Sequence, residues 1–252
     1  MNNLFNYDLL QIMGPAFIAG LIIAVTHASL GLEVIKRGII FIDLSIAQFA
    51  GLGLVLANYL CHEPSFIIIQ SFALSFAFMG AIFFYLIEQK LPKEQEAIIG
   101  SSFVVVASLS LLLLSKNPHG AEEAEHLLSG QILFITWHDL IVHIPIYLAI
   151  MLVWFTYKKQ ARKGSLFYLI FATAITSSVQ LVGIYVVFAS LILPAIASYK
   201  AKDKLVIAYS TAIFSLISAL IISIIFDLPA GPVIVLGYAI VTIGVRLLLK
   251  FK

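Results

Sequence analysis

The sequence predicts an all-α polytopic membrane protein of about nine transmembrane helices, N-terminus outside and C-terminus inside, with one short amphipathic helix on the outer face. Three observations carry this expectation. Of 252 residues, 62% are hydrophobic and only 11% charged, with a mean hydropathy of +1.07, far from the balance of a soluble domain. Apolar runs follow one another from end to end, each near the roughly 20 residues that a helix needs to cross a bilayer. The basic residues fall almost entirely on one side of those runs. Residues 1–252 therefore read as a single transmembrane domain, with little room for a soluble catalytic one.

Taken in order, the predicted helices run roughly over 9–32, 42–60, 66–87, 97–115, 139–157, 165–180, 182–199, 205–226 and 231–249. The leading MNNLFNYD lacks the basic region of a cleaved signal, so the first run is expected to remain as a span. The stretch between Lys163 and Lys200 is long for one span and tight for two, and its polar break from Thr176 to Gln180 favours two. Retention of Lys and Arg in the cytoplasm supports the same count. With the N-terminus outside, Lys36, Arg37, Lys90, Lys93, Lys158, Lys159, Arg162, Lys163, Lys200, Lys202, Lys204, Arg246, Lys250 and Lys252 are all inside, and Lys116 alone is outside. Tyr59, Trp137, Trp154 and Tyr157 fall near span ends, where amphipathic rings settle at the headgroups. Pro194 is expected to kink its helix.

A net charge of +2, scattered along the chain, is too small for a nucleic-acid surface. The single cysteine, Cys61, has no partner for a disulfide or a CxxC motif. The outer face is expected to carry Asp8, Glu63, Glu122, Glu123, Glu125, Asp139 and Asp227 together with His62, His119, His126, His138 and His143. An anionic surface of this kind concentrates cations, and its imidazoles are ligands for transition metals. The positive-inside bias by itself also leaves an outer face poor in Lys and Arg.

Between the fourth and fifth runs, NPHGAEEAEHLLSGQ predicts a short helix over 118–129. His119, Glu122, Glu123 and His126 share one face of it, at i, i+3, i+4 and i+7, and could converge on zinc or manganese. The alternative is a solvated polar face whose acids complement the helix dipole.

Ionisable groups inside a span are costly and generally functional or paired. His27 and Asp43 are the leading cases. If the first two helices form an antiparallel hairpin turning near Arg37, His27 and Gln48 lie at similar depth with Asp43 about a turn shallower, so all three could line one pathway. Alternatively, His27 is a neutral ring bonded across helices and Asp43 pairs with Lys36 or Arg37. Ala47, Gly51 and Gly53 would allow close helix approach.

The segment LGLEVIKRGIIFIDLSIAQFAGLG resembles the hairpin of the zinc/manganese-type permease subunits of ATP-binding-cassette importers, in which a basic pair is followed six residues later by Asp in a Gly-Asp-x-x-x-His-Ala pattern. Arg37 and Asp43 reproduce that interval. LVGIYVVFASLILPAIASY is similar to the family's small-residue helix with its Leu-x-x-Pro-Ala motif, and DLPAGPVIVL to its final outer turn and last helix. The resemblance implies an integral permease of the inner (cytoplasmic) membrane, usually a homodimer. Such a permease receives a divalent metal as substrate from an extracytoplasmic metal-binding protein and is driven by a cytoplasmic ATPase, with no permanently bound cofactor. Two departures stand out. The family's His is Ala47 here, beside Gln48. The cytoplasmic segment that docks on the ATPase is reduced to about KKQARKG, shorter by roughly four helical turns.

Uptake of zinc, manganese or iron by alternating access is thus the expected function, with no enzymatic activity. The alternatives are a related transporter without a standard ATPase and, more remotely, an intramembrane hydrolase using Ser129 and a histidine; no HExxH motif is present.

Overall fold

The computed structural model describes residues 7–250 apart from 62, 118, 119 and 131, and the side chains of 7–12, 123, 126 and 250 also lie outside that description. The elements are α1 (Tyr7–Arg37), α2 (Ile42–Leu60), α3 (Phe66–Lys90), α4 (Gln95–Leu114), α5 (Gly120–Ser129), a 3₁₀ turn (Ile132–Phe134), α6 (Trp137–Thr156), α7 (Lys158–Ala161), α8 (Gly164–Ser198), α9 (Lys204–Phe226) and α10 (Ala230–Lys250). Among the described residues, eight helices are long and apolar enough to cross a bilayer. Large apolar side chains such as Val104, Leu112, Ile141, Leu148, Leu152 and Leu248 cover their outward faces, as a lipid solvent requires.

The ninth pass lies within α8. This helix is 35 residues long, and Gly183 interrupts it at φ 76° and ψ 165°, outside helical geometry. Ser178 and Ser190 both hydrogen-bond the ring of His27. In a straight helix those serines would stand about 18 Å apart, beyond the reach of one imidazole. The chain therefore folds back at Gly183 into two antiparallel arms. The two ends agree: Arg162, just before α8, and Ala195 and Tyr199, at its close, line one cavity with Glu33 and Lys36. The sixth and seventh runs predicted from sequence are these arms. Pro194 stays within helical backbone, and the break comes at Gly183 instead, where a positive φ excludes a side chain. A Cβ at Gly183 would strike the backbone of Gly130, which also has positive φ (63°), so the end of α5 seats directly on the turn.

α8 is the central element. It packs on α1, α9 and α10 along one flank and on α2 and α3 along the other, while α2, α3 and α4 form their own layer. The simple α1–α2 hairpin expected from the sequence is not formed, because the small-residue arms of α8 separate the two helices. Gly31 of α1 lies against the Leu191 carbonyl and Ala195 of α8, and Gly53 of α2 against the α3 backbone, where an added Cβ would sit 2.6 Å from the Phe72 carbonyl oxygen. At the start of α6, Thr136 and Asp139 form a reciprocal cap: the Thr136 amide donates to Asp139 Oδ2 at 2.8 Å and the Asp139 amide to Thr136 Oγ1 at 3.3 Å. Tyr59, Trp137 and Tyr157 are exposed at helix ends as expected, whereas Trp154 is buried against Phe167 and beneath the Arg162 guanidinium.

Candidate functional site

Asp43 occupies the first turn of α2 and is completely buried, yet neither carboxyl oxygen has a hydrogen-bond partner among the described residues. The alternative in which it pairs with Lys36 or Arg37 is not realised. Arg37 is turned the other way, donating to Glu88 Oε1 at 2.9 Å and to the Arg162 carbonyl at 2.7 Å, with its guanidinium 4.0 Å above the Phe167 ring. Lys36 pairs with Glu33 at 3.6 Å. The group nearest in chemistry to Asp43 is a second carboxylate, Glu96 at the start of α4, within electrostatic reach of it. Glu96 Oε1 accepts the Phe41 amide at 3.2 Å, just ahead of α2, and its Oε2 has no partner. Two carboxyl groups thus share the foot of α2, where free backbone amides favour negative charge. Glu96 was not singled out from the sequence. The available signal was an acid opening the span that follows the loop after α3.

His27 is equally buried but in different surroundings. Its Nδ1 lies 2.7 Å from Ser190 Oγ and its Nε2 2.9 Å from Ser178 Oγ. Tyr147 of α6 bonds the same Ser178 hydroxyl at 2.7 Å, and His143, one turn earlier on α6, bonds Ser177 through Nδ1 at 2.7 Å. His143 was expected on the outer face. It is instead buried within α6, because the helix begins at Trp137 and His143 is on the side facing α8. Gln48 is buried on α2, and with α8 between α1 and α2, His27 is engaged by α8 rather than by Asp43 or Gln48. Gln180 of α8 and Gln70 of α3 exchange reciprocal amide bonds.

Of the residues proposed as metal ligands on α5, His119 lies outside the described residues, and so do the side chains of Glu123 and His126. Glu122 and Glu125 line a cavity of about 490 Å³ with Ser129, Gly130 and the turn Leu228–Pro232. Among the described residues, no three His, Cys, Asp or Glu side chains are grouped to hold a metal. Ser129 Oγ donates back to the Glu125 carbonyl at 2.8 Å, an ordinary helical back-bond.

The family model for the ABC 3 transport family matches residues 9–162 and 160–248, nearly the whole chain. The chain belongs to the ABC 3 transport family. It is thus a multi-pass membrane permease component of metal-type ABC transporters rather than a member of a catalytic family, and it implies an ATPase and a substrate-binding protein as partners. The two matched pieces meet at α7, the short segment where the sequence resemblance is also interrupted. Among solved structures, PsaBC from Streptococcus pneumoniae in complex with Fab is similar at 21% identity and a TM-score of 0.76, covering 97% of this chain and 98% of that one. A second, described as a metal-chelate type ABC transporter in an inward-facing conformation, is similar at 14% identity and a TM-score of 0.68, covering 98% and 89%. No curated protein matches the chain. At these identities the likeness shows the fold.

Proposed function

We propose that this ABC 3 permease imports a divalent transition metal (zinc, manganese or iron) and that the ion passes Asp43. One observation carries the reading: a carboxyl group wholly buried in a transport helix, with both oxygens unpartnered, in a chain of this family. A buried carboxylate without a partner is expensive in a membrane, and a cation relieves that cost. Glu96 extends the oxygen donors toward the inner face, while Gln48 lines the route deeper in the bilayer; His27, expected beside them from the sequence, is taken up by Ser178 and Ser190 and stays off it. The acidic cavity at α5, lined by Glu122 and Glu125, gathers the ion on arrival, and the ligand set read from the sequence, His119, Glu122, Glu123 and His126, is the proposed first holder. The proposed topology is N-terminus out and C-terminus in, in the inner membrane. A homodimer takes metal from an extracytoplasmic binding protein and is driven by a cytoplasmic ATPase, and no resident cofactor is needed.

The test is metal accumulation in cells lacking the protein, complemented with wild type or Asp43→Asn. Restored accumulation with wild type only, at equal membrane abundance, supports the route; equal restoration by both contradicts it. The short α7 supports a second reading, transport without a standard ATPase. Co-purification of a stable ATPase complex would remove it.

A further inference from the structure

The route past Asp43 leaves the row of hydrogen-bonded groups between α6 and α1 without a role. Asp139, His143 and Tyr147 are spaced at i, i+4 and i+8 and share one face of α6. Asp139 is at the exposed, capped end of the helix, on the α5 face of the protein. His143 bonds Ser177; the Tyr147 hydroxyl lies within electrostatic reach of Ser177 and bonds Ser178; Ser178 bonds His27 Nε2; and His27 Nδ1 bonds Ser190. The contacts His143–Ser177, Tyr147–Ser178, Ser178–His27 and His27–Ser190 all measure between 2.7 and 2.9 Å. Each group from His143 to His27 can donate and accept in turn.

We propose that this row is a proton relay joining the α5 face to His27 in the interior of the membrane. A proton taken up at His143 Nε2 releases the one on Nδ1 to Ser177 Oγ. The Ser177 proton then passes to Tyr147 Oη, the Tyr147 proton to Ser178 Oγ, and the Ser178 proton to His27 Nε2. Only O–H and N–H bonds are made and broken: His143 ends neutral and His27 ends as imidazolium. The row suits a proton better than a metal ion. His27 and Ser178 show no exposed surface and Tyr147 only 2%, so a hydrated cation has no way in, whereas a proton needs only the hydrogen bonds.

The charge on His27 is then read by α8. A neutral ring donates from one nitrogen and accepts at the other. As imidazolium it donates from both, so Ser178 and Ser190, on opposite arms of the hairpin, must both accept. Their own hydroxyl protons are then left to the Ala174 and Val187 carbonyls, which lie at 2.7 and 2.9 Å. Proton arrival thus resets both arms together. Other titratable groups on the elements around α1 are engaged elsewhere: Tyr168 with Gln95 and Tyr209 with Ser29, while Tyr185 and Tyr199 are exposed. Glu33 pairs with Lys36 and Arg37 at the far end of α1, and Lys204 lies over the Tyr199 ring.

The test is hydrogen–deuterium exchange of the ring N–H groups in the full chain, reconstituted in lipid with ¹⁵N-histidine and read by NMR, with the His27 signal assigned by loss in His27→Gln. In Tyr147→Phe, exchange at His27 should slow by about tenfold or more, equivalent to about 1.4 kcal/mol of added barrier, while exchange at His143 and the thermal midpoint stay unchanged. Ser177→Ala should act alike, and it serves as the test if the tyrosine variant fails to fold. Unchanged exchange at His27 in a folded variant would overturn the relay, as would equal slowing at both rings. No metal or ATPase enters the measurement, so its outcome is independent of the transport route.

Discussion

Two buried polar regions lie at opposite extremes of satisfaction. Around His27 both ring nitrogens, the Tyr147 hydroxyl and the hydroxyls of Ser177, Ser178 and Ser190 are all bonded, tying α1 and α6 to both arms of α8. At the foot of α2, Asp43 is as deeply buried, but among the described residues its carboxyl oxygens complete no hydrogen bond, only the α2 amides of Asp43 and Leu44 face them, and a second carboxylate stands nearby. The first region is closed on itself and holds the hairpin together. The second is incomplete, and what it lacks is positive charge. Side chains equally remote from water can therefore serve opposite ends, and the hydrogen bonds distinguish them.

The contrast can be broken most severely at the turn that supports the paired region. Gly183→Val forces a branched side chain to a φ of 76° and into the Gly130 backbone, and should cost about 3 kcal/mol or more, seen as a collapse of the detergent melting temperature or loss of folded protein. His27→Ala removes two hydrogen bonds and opens a cavity in the closed cluster. A loss of about 2–3 kcal/mol is expected in equilibrium unfolding, because Ser178 and Ser190 lose their shared partner. Asp43→Asn should behave oppositely: with no partner to lose, stability stays within about 1 kcal/mol of wild type or rises, while transport fails. A destabilisation matching that of His27→Ala would show that Asp43 has a structural partner after all. Smallest is Glu88→Gln, which weakens the partly exposed pair with Arg37 and should cost about 0.5–1 kcal/mol, measured by the same unfolding curves.

Depth was legible in the sequence, and lateral arrangement was not. Hydropathy and the basic residues located every span within a few residues, and the polar break Thr176–Gln180 correctly divided residues 164–198, because lipid imposes its thickness on each segment separately. Which helix stands beside which depends on packing between distant segments. Placing α1 next to α2 therefore failed once the small residues of α8 entered between them, and the supposed neighbours of His27 changed from Asp43 and Gln48 to Ser178 and Ser190. His143 was misplaced for a related reason. Polarity alone put it in the outer solution, although its spacing from Asp139 and Tyr147, away from Ile141, Leu148 and Leu152, marks the buried face of α6. Asp43 was found from its position inside a span, but its lack of a partner is a property of the folded chain only.

The most direct test of the difference between the two regions is the stoichiometry of divalent metal bound by the purified full chain in lipid nanodiscs, comparing wild type, Asp43→Asn and His27→Gln with zinc and with manganese. The incomplete region should be the one that binds: wild type and His27→Gln retain the ion, and Asp43→Asn loses it. Retention by Asp43→Asn together with loss in His27→Gln would contradict the assignment and move the ion to the hydrogen-bonded cluster around His27.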